Sequence, residues 1–191
     1  MAENLAGRLT SDAAPPLHLG DVMLALGDSI AAGIGAAHVT EGCMWLLAAH
    51  LRRLHTGLHF EHLAVPSETS ASMLAADGQV ERAERTIAAL RPGGQRLGDV
   101  AVVQTVYNPF EGLPPDSADL MAPRRASRSG YNAAIRRVAQ NMGVRLVDIS
   151  SLFRGRSLEL TWVRTGDIHP TGDGHELIAQ EYLRVGGWML P

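Results

Sequence analysis

The run LALGDSIAAGIG, residues 24–35, ends an apolar stretch in Gly27-Asp28-Ser29 and adds Gly33 and Gly35 soon after. Two kinds of chemistry use glycines beside a hydroxyl in this way: a backbone cradle for phosphate, and a turn that lifts a serine out as a nucleophile. The phosphate reading fails on spacing. A dinucleotide fingerprint needs G-x-G-x-x-G opening a helix, and a P-loop needs G-x-x-x-x-G-K-[ST]. Gly27, Gly33 and Gly35 fit neither, the chain has no lysine, and Asp28 sets an anion where the phosphate would sit. The serine has a structural alternative, because Ser29 ahead of Ile30 also suits a helix N-cap. A second cluster, His55, His59, Glu61 and His62, is dense in metal-ligating types. Gly57 interrupts any helix there, and on a strand His59 and Glu61 face one side while His62 faces the other. Those four do not converge as a zinc site requires, and no metal is expected.

The elements that must position Ser29 are read from hydrophobic periodicity. Residues 22–26 are a short continuous apolar run, as in a strand buried on both faces. Residues 41–54, EGCMWLLAAHLRRL, have helical spacing, with Thr40 before them and Gly57 after. LHFEHLAV (58–65) reads as a second strand, and TSASMLAA (69–76) and QVERAERTIAAL (79–90) as helix. VAVVQTV (100–106) is the strand richest in β-branched residues, GYNAAIRRVAQNM (130–142) an amphipathic helix, VRLVDI (144–149) a strand, and TGDGHELIAQEYLRV (171–185) a closing helix. Strands alternating with helices predict βαβ crossovers and a mostly parallel sheet covered on both faces. Sites in such sheets form at the carboxyl ends of the strands, which is where Gly27–Ser29, Pro66–Thr69 and Tyr107-Asn108 fall.

Composition narrows the partners. The chain has 191 residues and a formal net charge of −3 with no polybasic stripe, so neither nucleic acid nor a membrane surface is expected to bind it. Cys43 is the one cysteine, which rules out an intrachain disulfide and a cysteine-rich zinc site. Residues 1–18 read as a loose arm ending near Pro15-Pro16, and 19–191 as a single domain. The first residues show neither a basic leader nor an apolar core, so the expected location is the cytoplasm, although a chain trimmed of a signal would read the same. Oligomeric state has no signature here.

Four segments together carry a resemblance. LALGDSIAAG, LAVPSETSASML, VYNPF and GDIHPTGDGHELIA occur in that order between residues 24 and 179, and in them the chain resembles the SGNH, or GDSL, family of serine hydrolases. That resemblance implies an α/β fold of flavodoxin-like type, a three-layer α/β/α sandwich with a mostly parallel five-stranded sheet. It also implies an ester hydrolase, an acylhydrolase or esterase that needs no cofactor and takes a small-molecule ester. Ser29 would be the nucleophile and His169 its general base. The backbone N–H of Ser29, that of Ser67 and the Asn108 side chain would form the oxyanion hole, with Asp28 supporting the turn. Phe110, Leu113 and Met121 of the Pro-rich insert 109–123, with Met73 and Tyr107, are candidate walls of an acyl pocket. His175 reads as structural.

The chain departs from the family pattern at informative places. The aspartate three residues before the histidine is replaced by Gly166, and the acid nearby is Asp167, two residues before. Asp167, or a backbone carbonyl near Thr165 or Gly166, would then orient the His169 ring. Ser67 stands at the glycine of the second block, where a positive φ would penalise it. The third block keeps only its asparagine, between Tyr107 and Pro109, where a turn role is the plain alternative. Ser67, Val106, Pro109 and Gly166 also favour a competing reading, a non-catalytic binding module that keeps the fold with a decayed site.

Overall fold

The computed structural model describes residues 20–90, 102–104, 107 and 128–189, with the side chains of 102, 103 and 128–130 outside that description. Strand β1 (Val22–Ala25) pairs in parallel with β2 (His59–His62), Val22 opposite His59 and Ala25 opposite His62. Between them runs α1 (Cys43–Leu54), and beyond β2 come α2 (Ser70–Met73) and α3 (Gln79–Leu90). A second parallel pair, β3 (Val102–Gln104) with β4 (Arg145–Val147), is joined through α4 (Arg128–Met142). The chain then forms α5 (Ile149–Leu152), α6 (Ser157–Leu160) and α7 (Gly172–Gly186). Parallel strands linked through helices are the α/β architecture expected. Four strands are described and the expected fifth is not among them; the arm over 1–18 and the insert over 109–123 also lie outside the described residues.

Local chemistry explains the boundaries. In α1 the buried residues are Cys43, Met44, Leu47, Ala48 and Leu51, one apolar stripe, and Arg52 and Arg53 sit in the last turn against the negative helix end. The helix expected over 69–76 shortens to the single turn of α2. A capping box between Thr69 and Ser72 starts it, and Asp77, at φ 58°, lies in the turn that follows. The strand expected to reach residue 149 stops at Val147 because Asp148 caps α5, its carboxylate accepting from Ser151 N–H. The short helices α5 and α6 have too few residues for a periodic signal and were not expected. Thr171 caps α7 by accepting from Gly174 N–H.

One core joins these pieces. Ala25, Cys43, Phe60, Tyr107, Val147, Ile149, Phe153, Leu160 and Ile178 are among its buried members, so both strand pairs, α1 and α7 share a single apolar interior. No described helix is long and apolar enough to cross a membrane.

Candidate active site

The Ser29 loop is a run of turns, not a helix start. Asp28 Oδ1 accepts from Ile30 N–H at 2.9 Å, Ala32 N–H reaches Asp28 O at 2.9 Å, and Ile34 N–H reaches Ser29 O at 2.9 Å. The helix-capping alternative for Ser29 is thereby removed. Its hydroxyl takes part in no hydrogen bond among the described residues, with His169 or with any other group. Beneath the loop, Cys43 is buried and its thiol contacts Ile30 O at 3.6 Å. Burial pushes that thiol up to about 12, so it is a protonated packing group and not a rival nucleophile.

The loop is fastened to the segment that carries His169. A Cβ placed on Gly35, at φ 100°, would lie 2.2 Å from Pro170 O and 2.9 Å from His169 Cβ. Only glycine permits that approach. Trp162 Nε1–H donates to Gly35 O at 2.7 Å, and Trp162 N–H to His169 O at 3.0 Å. His175, fully buried in α7, accepts from Cys43 N–H through Nδ1 at 3.3 Å and meets Ile34 O through Nε2 at 3.0 Å. Burial, reinforced by the charge of a protonated His169, holds its pKa below the usual histidine value, although the bond to Ile34 works the other way. A neutral ring is what an Nδ1 acceptor with an Nε2–H donor requires.

His169 Nδ1 lies 2.5 Å from Asp167 Oδ1, and the same oxygen accepts His169 N–H at 3.0 Å. The two-residue spacing works because Gly166 takes a left-handed conformation at φ 84°, closing the turn Val163–Thr165. Burial alone would raise the Asp167 pKa. The two bonds from His169 and its charge outweigh that and leave the carboxyl below its ordinary value. With Nδ1–H committed to the carboxylate, the lone pair of Nε2 is the one exposed for taking a proton.

Two further segments are tied to these, one to the His169 segment and one to the Ser29 loop. Tyr107 OH donates to Ile168 O at 2.6 Å, next to His169, while its ring stacks on Phe153 with centroids 4.3 Å apart. At 3 % exposure Tyr107 is core, which corrects its expected place in an acyl pocket: it braces the His169 segment instead. The second loop is tied to the first by Val65 N–H on Gly27 O at 3.1 Å. In it Ser67 is exposed at φ 68°, the left-handed conformation that a glycine would hold freely. Met73 is half-buried. Asn108 and Phe110, with Leu113 and Met121, lie outside the described residues.

The histidine cluster is dispersed. His55 pairs with Asp21 at 2.9 Å, His59 with Glu61 at 3.3 Å, and His62 bonds Ala31 O at 3.0 Å while stacking on Trp45. Three residues near the site were not singled out from sequence. Trp162, 44 % exposed, bonds Gly35 O through its indole and His169 O through its backbone, and Glu68 and the buried Gln79 tie the first two loops together. Gln79 did leave a signal: it and Ala83 are the buried positions of α3, so an amide stands on the apolar stripe.

Residues 94–177, a little under half of the chain, match the family described as GDSL-like Lipase/Acylhydrolase. That span holds His169 and Asp167 but not Ser29. A comparison with curated proteins finds no match. Among solved structures, a catalytic mutant of Axe2, an acetylxylan esterase from Geobacillus stearothermophilus, is similar at 14 % identity and TM-score 0.57, covering 88 % of this chain and 95 % of that one. An α/β hydrolase from the metagenome of Lake Arreo is similar at 21 % identity and TM-score 0.55, covering 90 % and 97 %. A Parabacteroides merdae protein classed as GDSL-like reaches TM-score 0.62 at 15 % identity, covering 92 % and 100 %. Shared fold and matched span agree with the resemblance carried by the four motifs.

Proposed function

We propose that this GDSL-like protein is an ester hydrolase that works through an acyl-enzyme on Ser29. His169 Nε2 takes the serine proton as Oγ attacks the ester carbonyl, then returns it to the leaving alcohol; water enters by the same base in the second half. Asp167 fixes the ring so that Nδ1 carries the hydrogen and stabilises the imidazolium that forms. The N–H groups of Ser29 and Ser67, with the Asn108 amide, receive the developing oxyanion. The observation that supports this reading most is the short Asp167–His169 pair, 2.5 Å, on a segment seated against the Ser29 loop at Gly35. The ring nitrogen of His169 that does not face Asp167 has no hydrogen-bond partner among the described residues, which leaves it for the serine proton.

Labelling with a fluorophosphonate probe tests it. Modification of Ser29, absent in Ser29→Ala and slowed in His169→Ala, is expected, together with turnover of short nitrophenyl esters. A folded native protein that neither labels nor turns over would favour the binding module instead. Nitrophenyl esters of graded chain length would then define the acyl group accepted.

A further inference from the structure

A strand that leaves its sheet to raise a serine strands its own peptide groups. At Gly27, just before Asp28 and Ser29, one buried side chain reaches both: Gly27 N–H donates to Gln79 Oε1 at 2.7 Å, and Gln79 Nε2–H donates to Gly27 O at 2.8 Å, an oxygen that Val65 N–H also reaches at 3.1 Å. The carboxamide gives Gly27 N–H its acceptor and shares Gly27 O with the backbone of the second loop. Gln79 is 1 % exposed, so water does not compete for these bonds. Its other amide hydrogen goes to Glu68 Oε2 at 2.6 Å, and Glu68, adjacent to Ser67, is held in turn by the Ser72 hydroxyl. One amide therefore touches the residue two before Ser29 and the residue one after Ser67.

We infer that Gln79 is a positioning residue for the oxyanion hole, a clasp that sets the spacing between the Ser29 and Ser67 N–H groups through Gly27 and Glu68. The inference rests on the hydrolase reading and adds to it a residue that contacts no substrate. Donors aimed at an oxyanion act only when their separation matches the tetrahedral intermediate and not the ground-state ester. Loss of the clasp should therefore lower kcat and leave KM nearly unchanged.

The experiment uses the full chain and a short nitrophenyl ester. Gln79→Met keeps the volume and removes every amide bond; with removal of a whole oxyanion donor worth about 10²–10³ in kcat, its displacement should lower kcat by about 10- to 100-fold. Gln79→Glu keeps an acceptor for Gly27 N–H but opposes Glu68 with a second carboxylate. Adding Glu68→Gln restores a donor–acceptor pair between the two positions, so the double variant should recover kcat over Gln79→Glu alone. A merely structural glutamine would shift the melting temperature without this reciprocal rescue in kcat. The inference is overturned if folded Gln79→Met turns over like the native protein, or if the double variant is no faster than Gln79→Glu; should Gln79→Met fail to fold, the exchanged pair decides alone. An unreactive native protein would remove the hydrolase reading and the clasp together, whereas a reactive native protein with indifferent Gln79 variants removes only the clasp.

Discussion

Ser67 stands where the family that the chain resembles has a glycine, and the structure gives the strain a sign. Its φ of 68° lies in the left-handed region, and no hydrogen bond of its side chain among the described residues offsets the crowding of Cβ. That conformation costs an L-residue roughly 1–2 kcal/mol. Ser67→Gly removes the cost but returns roughly 0.4–1 kcal/mol through the greater freedom of glycine in the unfolded chain. The net expectation is a stabilisation centred on about 0.8 kcal/mol (about 0–1.6 across those ranges), which for a chain of this size raises Tm by about 2–3 °C. Ser67→Ala is the control, since it keeps the Cβ and should gain nothing. Thermal melts followed by far-UV circular dichroism, with urea midpoints for the same three proteins, measure the difference. Turnover of a short nitrophenyl ester should hold within about twofold, because glycine supplies the same backbone N–H as serine. Equal melting temperatures for Ser67→Gly and Ser67→Ala would refute the strain, and a large fall in kcat for Ser67→Gly would show that the hydroxyl, not the amide, is used.

Asp167→Asn should lower kcat by about 10²–10⁴, the range expected when the base is left in the wrong tautomer, and an unchanged rate would transfer the orienting role to a carbonyl. Gly35→Ala should destabilise the chain by more than about 1 kcal/mol in urea, since the new Cβ meets Pro170 O at 2.2 Å from a positive φ; a native-like midpoint would mean that the two loops are not in contact. Stability should also fall on acidification below about pH 6.5, the ordinary histidine value, because buried His175 has a depressed pKa and the unfolded chain takes up that proton first. The contribution is fully present above that pH and lost below it, so a His175→Gln variant should show a flatter urea midpoint between pH 8 and 5; parallel profiles would place the titration elsewhere.

Legibility followed the range over which each signal acts. Helix α3 was read at its observed limits, Gln79–Leu90, because a charged face and an apolar stripe repeat over its whole length. Helix α7 was within a residue of its limits for the same reason, with Thr171 as its cap. Strand ends were not: β4 stops at Val147 because Asp148 caps the next helix, and β2 ends at His62 although Leu63 N–H and Val65 N–H still bond Ala25 O and Gly27 O. The identity of the acid beside His169 was visible only as alternatives. Its resolution depends on the left-handed turn at Gly166, a dihedral that no periodicity encodes.

Tyr107 and Gln79 show why the remainder was hidden. Sequence placed Tyr107 at a strand end and so among substrate contacts, yet the stack on Phe153 and the bond to Ile168 O are contacts between distant segments. Gln79 lies in a helix whose register was read correctly, and still its partner is the backbone of Gly27, more than fifty residues away. In both cases a polar atom on a buried side chain serves a peptide group of a site loop. Burial makes such a bond hard to replace, because the group left behind would lose a partner without gaining water. The site loops of this chain are thus held from beneath by side chains of the core. Substitutions at Gln79 and Tyr107 should therefore disturb the chemistry before they disturb the fold, the reverse of the order expected for the apolar core residues beside them.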